Sequence, residues 1–331
     1  MSESIQRTAR ILSIDGGGLR GIIPAVALEY IESQIQCKIT ERFHMISGTS
    51  TGGIIAAGLQ QYSAKELKDL YLYHGAELFQ RRSFFSNPCG LFKSKYKTDP
   101  IYNSFKRFFG ENELKDVQYD LLVPYYDLTN RTQRFFKSHR ARINQIENYK
   151  IYDVVRATSA APTYFEPHHL HLGLNNNQEI QAIDGGVFCN DPGLYALTEA
   201  VETYPNADSY FILSIGTGKH METLDPRSLI SWAEAIPDIF LSNTNDTVRH
   251  TMKEFGAIYS KPVIFCRIQV PLPPELAEMD NVDNLPALAN ITIPATQERI
   301  QKALPYFQNP MVSREQIISD SPVPTNFFEI K

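Results

Sequence analysis

An α/β layered domain on a largely parallel sheet is the fold class this sequence predicts. Short apolar runs alternate with stretches of helical periodicity. Two of those runs end in Gly-rich turns that lead directly into helices. No linker, internal repeat or low-complexity tract divides the 331 residues, so residues 1–331 read as one domain.

Arg10 to Asp15 reads as the first buried strand. It runs into Gly16-Gly17-Gly18-Leu19-Arg20-Gly21 and then a helix from about Ile22, where Ile23, Ala27, Ile31 and Ile35 recur every four residues. Pro24 falls in the first turn, where its missing N–H costs nothing. Phe43 to Ile46 is a second short strand. It ends at Gly48-Thr49-Ser50-Thr51-Gly52, and a tightly packed helix follows to Leu59.

Ser63 to Glu66 is a capping box for a helix with Leu67, Leu70, Tyr71, His74 and Leu78 inward. Periodicity is lost from Phe79 to Lys97. Asp99, as N-cap, and Pro100 then predict a helix carrying Ile101, Phe105 and Phe108. Two strands, 119–127 and 133–137, form a hairpin, and a helix spans Ile151 to Thr158. A short strand, Ile180 to Ile183, precedes Asp184-Gly185-Gly186. Asp191 caps a helix over 192–203, and Ser209 to Ile215 is a strongly apolar strand. Helices between Leu229 and Tyr259, a strand from Val263 to Val270, an acidic Pro-rich run over 271–286 and a helix from Thr296 to Tyr306 complete the chain.

Composition removes several classes of function. A net charge of −5 argues against general nucleic-acid binding. Cys37, Cys89, Cys189 and Cys266 are widely separated, which predicts neither a zinc site nor a disulfide framework. The run Ile11 to Ile14 is too short for a signal-peptide core. No stretch approaches the roughly 18–20 apolar residues of a membrane span, so a cytoplasmic protein is expected.

Gly16-x-Gly18-x-x-Gly21 has dinucleotide-fingerprint spacing, but no acid stands at the tip of the second strand to hold a ribose. Gly48 to Gly53 has P-loop spacing, with Ile54-Ile55 where Lys-[Ser/Thr] is needed. Acyl transfer fits both turns better. Ser50 between Gly48 and Gly52 matches a nucleophile elbow, and N–H groups near Gly17 and Gly18 could face it as an oxyanion hole. Asp184 is the candidate carboxylate. His220 keeps a Ser-Asp-His triad open.

Four motifs taken together resemble the patatin-like phospholipase family. They are Asp15–Gly21, Gly48–Gly53, Ala157–Phe165 and Asp184–Gly186, in the family's order, within about residues 8–218. The resemblance implies a three-layer patatin-like fold, helices flanking a largely parallel sheet, with residues 219–331 packed on that core. It also implies a stand-alone bacterial-type lipid acyl hydrolase of phospholipase A or lysophospholipase type. Ser50 is then the nucleophile, Asp184 the proton acceptor, and Gly16, Gly17 and Gly18 with Arg20 the oxyanion loop. No metal or cofactor is implied. Open alternatives are an esterase with a His220 triad, an inactive lipid- or nucleotide-binding module, and a nucleotide-activated membrane-degrading effector.

Phe79 to Lys97 carries five cations, no acid and interleaved aromatics, which suits peripheral contact with phospholipid at the inner membrane face; aromatics packed on the core are the competing reading. Arg131, Arg134, Lys137, Arg140 and Arg142 read as a solvated hairpin face, and His168-His169-x-His171 as structural rather than metal-binding. Asp15 is expected to bond loop backbone. For Arg20, holding the Gly loop and a surface salt bridge are both open.

Overall fold

The computed structural model describes residues 7–78, 94–173, 178–219 and 247–318, with residues 232 and 239. Its sheet runs β5-β6-β3-β2-β1-β7-β8, with β4 paired to β3. The strands are β1 (Thr8–Ile14), β2 (Met45–Gly48), β3 (Asp120–Asp127), β4 (Thr132–Lys137), β5 (His168–His171), β6 (Glu179–Asp184), β7 (Ser209–Ile215) and β8 (Val263–Ile268). From β3 to β8 along the order β3-β2-β1-β7-β8, every pairing is parallel. At the other margin β3 pairs antiparallel with β4 and β6, and β6 with β5.

β1 and β7 are buried throughout except Thr8, as expected of central strands covered on both faces. The helices are α1 (Ile22–Ile35), α2 (Thr51–Gly58), α3 (Ala64–Leu78), α4 (Thr98–Phe109), α5 (Ser138–Ala141), α6 (Ile151–Thr158) and α7 (Gly193–Thr203). α8 spans residues 247–258, and α9 (Leu285–Phe307) and α10 (Arg314–Ile317) follow. Two apolar clusters line the sheet. The larger joins α1, α2, α3, α4 and α9 to Leu12, Ile14 and Ile46, and the smaller joins α7 and Met252 to Ala9, Ile11 and Met45. Alternating Leu12 and Ile11 thus reach opposite clusters, which makes the molecule three layers deep.

Several expectations are corrected. α9 begins at Leu285, eleven residues before the helix expected at Thr296, and it contains Pro294 and Pro305. Its inward row, Leu285, Leu288, Thr292, Thr296, Ile300, Ala303 and Phe307, keeps helical spacing through those prolines. The Thr292 and Thr296 hydroxyls bond back to the carbonyls of Leu288 and Thr292. α4 starts at Thr98 with Lys97 at its N-cap, so Asp99 sits in the first turn instead of capping it. Strand β5 was not expected at all. The basic hairpin face is paired rather than merely solvated: Lys137 meets Glu199 at 2.6 Å, Arg140 meets Glu202 at 3.4 Å and Arg142 meets Asp120 at 2.6 Å.

Candidate active site

Parallel register sets Ile14 of β1 beside Gly48 of β2, so the two Gly-rich turns leave the same edge of the sheet together. The Thr49 N–H donates to the Ile14 carbonyl at 3.1 Å. A Cβ on Gly16 would lie 3.2 Å from the Ser50 Cβ, and one on Gly52 would overlap the Ile14 carbonyl. The motif glycines are therefore fixed by close approach of the two turns.

Ser50 has φ 54° and ψ −122°, between β2 and the first turn of α2. A side chain rarely adopts that backbone, and the surroundings hold it there. The Ser50 N–H donates to Thr158 Oγ1 at 3.1 Å, and Thr158 donates to the Pro124 carbonyl at 2.6 Å. The Ile54 N–H donates to the Ser50 carbonyl at 3.0 Å. The side chain is 8% exposed, and α2 aims its positive end toward it.

Asp184 ends β6 and arrives from the antiparallel side, opposite Tyr125. Its Oδ1 accepts the Gly186 N–H at 2.7 Å. Burial pushes this carboxyl up to about 7, against three opposing influences: the Gly186 N–H, the Ser50 hydroxyl and the Arg156 guanidinium. Serine and carboxylate thus share one enclosed environment.

The Gly loop divides its N–H groups. The Gly16 N–H is committed to the Asn190 carbonyl at 3.2 Å, so Gly16 contributes close approach rather than a free donor. Among the described residues no backbone acceptor meets the N–H of Gly17 or Gly18. Thr217 Oγ1 donates to the Gly16 carbonyl at 2.6 Å, and a Cβ on Gly17 would overlap that threonine. The Leu19 N–H donates to Met279 at 2.7 Å. Arg20 is buried and donates to the Ala277 carbonyl at 3.0 Å. Arg20 therefore holds the loop against the C-terminal portion from a buried position rather than from the surface.

Asp15 is likewise corrected. Its carboxylate takes both ends of Arg267, with Nη1 to Oδ1 at 2.8 Å. Arg267 also reaches Asp191 at 3.2 Å and the Ser214 hydroxyl at 2.5 Å. The N-cap of α7 is Pro192 rather than the expected Asp191, which sits one residue earlier and accepts the Gly193 N–H at 2.9 Å while anchoring this buried cluster.

Arg156 on α6 was missed. It is fully buried, lies over the Phe165 ring at 5.3 Å and donates to the Glu166 carbonyl at 2.9 Å. Its Nε and Nη1 meet no acceptor among the described residues, and burial lowers its pKa to about 10. The signal available was an arginine within the apolar run Val154-Val155-Arg156-Ala157, next to a motif.

His168 is buried on Asp153 at 3.0 Å, and no metal-holding cluster of His, Cys, Asp or Glu exists among the described residues. No helix among those residues is long and apolar enough to cross a membrane. Of Phe79 to Lys97, residues 79–93 lie outside the described residues, as does His220. Tyr96 is buried and bonds Asp280, and Lys95 pairs with the same carboxylate at 2.5 Å.

A family model for patatin-like phospholipase matches residues 12–197. The chain belongs to the patatin-like phospholipase family. Patatin-like protein 2 of Arabidopsis thaliana is 31% identical, over 84% of this chain and 80% of its own length. Patatin-like protein 1 of that plant is 29% identical, over 76% and 72%. A protein of Solanum tuberosum described as a probable inactive patatin-3-Kuras 1 is 30% identical, over 64% and 63%. Among solved structures, VipD from Legionella pneumophila covers 90% of this chain and 72% of its own at 12% identity, with a TM-score of 0.42. Family membership supports hydrolysis of lipid esters as the class of activity.

Proposed function

We propose that this chain is a phospholipase A-type lipid acyl hydrolase, with lysophospholipase capability, working through a Ser50–Asp184 dyad. The observation that carries this reading is the buried Asp184 carboxyl beside a serine held at positive φ. A carboxylate near pKa 4 is a weak base at neutral pH, whereas one at about 7 is matched to it.

In the proposed cycle Ser50 Oγ attacks the ester carbonyl carbon as its proton passes to Asp184. The oxyanion is met by the N–H groups of Gly17 and Gly18, donors that each contribute on the order of 3 kcal/mol in such sites. Collapse breaks the acyl–oxygen bond, and Asp184 returns the proton to the departing lysolipid alcohol. Water, deprotonated by Asp184, then attacks the acyl-serine, and the Ser50 alkoxide recovers that proton as the fatty acid leaves.

The test is hydrolysis of a defined phosphatidylcholine by the parent chain, Ser50→Ala, Asp184→Asn and His220→Ala. The dyad expects losses of at least about 10³-fold in the first two and a near-parental rate in the third. A folded His220→Ala protein without activity would replace the dyad with a triad. A folded parent that hydrolyses no ester would leave a binding module.

A further inference from the structure

β2 and β3 begin at the sheet edge opposite Ser50, and a cleft of about 520 Å³ opens there. Its walls come from Lys38 to His44 before β2, Gln118 and Tyr119 before β3, and Pro310 to Arg314 after α9. That volume lies within the range of small-molecule sites. At least roughly 13 Å of strand β2 separates it from the elbow.

The charge of the cleft is uneven. Lys38, Arg42 and Arg314 line it against a single acid, Glu41. Glu41 already accepts the backbone N–H of Lys38 at 3.3 Å, and Arg314 is paired with Asp120 at 2.9 Å. Among the described residues Arg42 has no such counter-charge: there it reaches the Glu41 carbonyl, at 3.5 Å, and its Nε is buried without an acceptor. Beside it Arg10 is 8% exposed and bonds the Asn309 carbonyl at 2.7 Å, and its Nε is also without an acceptor among the described residues. Burial, and after it the nearby Arg42, lower the Arg10 pKa to about 10.

Arg42 on the cleft wall, with Lys38 beside it, is what a multiply charged anion would relieve; Arg10, which does not line the cleft, adds positive potential behind Arg42. Gln60, Gln118 and Ser313 around the same cleft offer neutral partners to its oxygens. A concave cleft suits a compact ligand better than a flat sheet of headgroups does. We propose that this cleft binds a small phosphorylated anion, at a site separate from Ser50, through Arg42 and Lys38.

Calorimetric titration of the full chain with inorganic pyrophosphate at fixed ionic strength tests this. One saturable site is expected, weakened at least tenfold by Arg42→Gln and severalfold by Lys38→Gln, and unchanged by Arg131→Gln in the turn at the far end of β3. Lys38 is exposed, so its variant keeps the test valid even if Arg42→Gln folds poorly. Competition by phosphatidic acid vesicles, measured with Ser50→Ala protein, would make the ligand a lipid headgroup. Binding indifferent to vesicles would make it a soluble phosphate. Absence of saturable binding, or equal affinity in all three variants, overturns the proposal.

Discussion

Folding keeps Asp184 protonated up to about pH 7, whereas an unfolded chain ionises it near pH 4. Between those values the native state binds more protons, so this group's contribution to stability falls as pH rises through the window. Asp184→Asn removes the ionisation. Its thermal midpoint should exceed the parent's at pH 8, by an equivalent on the order of 1–4 kcal/mol, with little difference at pH 4. Scanning calorimetry at both values checks this, and a destabilised variant at pH 8 would contradict the assignment. Arg156 works on the same carboxylate from the other side, since its charge favours the ionised form. Arg156→Met should therefore move the rising limb of the pH–rate profile upward from about pH 7. An unshifted limb would show that Arg156 is structural. Ser50 stores its own opposition: its backbone angles suit glycine. Ser50→Gly should be inactive yet more stable than Ser50→Ala by about 1–3 kcal/mol in denaturant melts.

Elements carry these residues with different degrees of legibility. β1 and β7 could be read directly from their apolar runs, whereas β2, expected at Phe43 to Ile46, lies two residues later at Met45–Gly48 and runs into the elbow itself. The site's two turns and Asp184 were legible too, their glycines marking close approach. α9 was read short because Pro294 is a local breaker, whereas the inward row that packs on α1 and α3 is a tertiary fact. β5 was invisible because four residues, three of them histidines, carry no strand signal until β6 pairs with them. Asp15's partner was equally hidden, since Arg267 lies on β8 at the far end of the sequence. Between elements, Thr158 ties α6 to both the elbow and β3. Thr158→Val keeps shape but removes both bonds. It should cost about 1–3 kcal/mol in stability, and activity should fall in proportion to a loosened Ser50. Full activity in a destabilised Thr158→Val protein would limit the residue to support of the fold.

Across the whole molecule, residues beyond the family match at 12–197 complete the Gly loop. β8 supplies Arg267 to Asp15, Thr217 closes on Gly16, and Ala277 and Met279 receive Arg20 and Leu19. The described part of the C-terminal portion shares the sheet through β7 and β8 rather than standing apart. Arg267→Met removes the cation that bridges the buried Asp15 and Asp191, and removing one partner of such a pair costs about 3–5 kcal/mol. Urea melts of the variant should show that loss, together with a fall in acyl transfer. A stable, active Arg267→Met protein would mean the cluster is dispensable.

The reach of that ion pair also sets a schedule for synthesis. Asp15 and Arg267 are 252 residues apart, so at 5–20 residues per second the ribosome takes on the order of 10–50 s to deliver the second after the first. Throughout that interval the serine-bearing elbow exists without the clamp that shapes its opposing loop. The buried ion pair, and the loop geometry that depends on it, can therefore form only after Arg267 has left the ribosome.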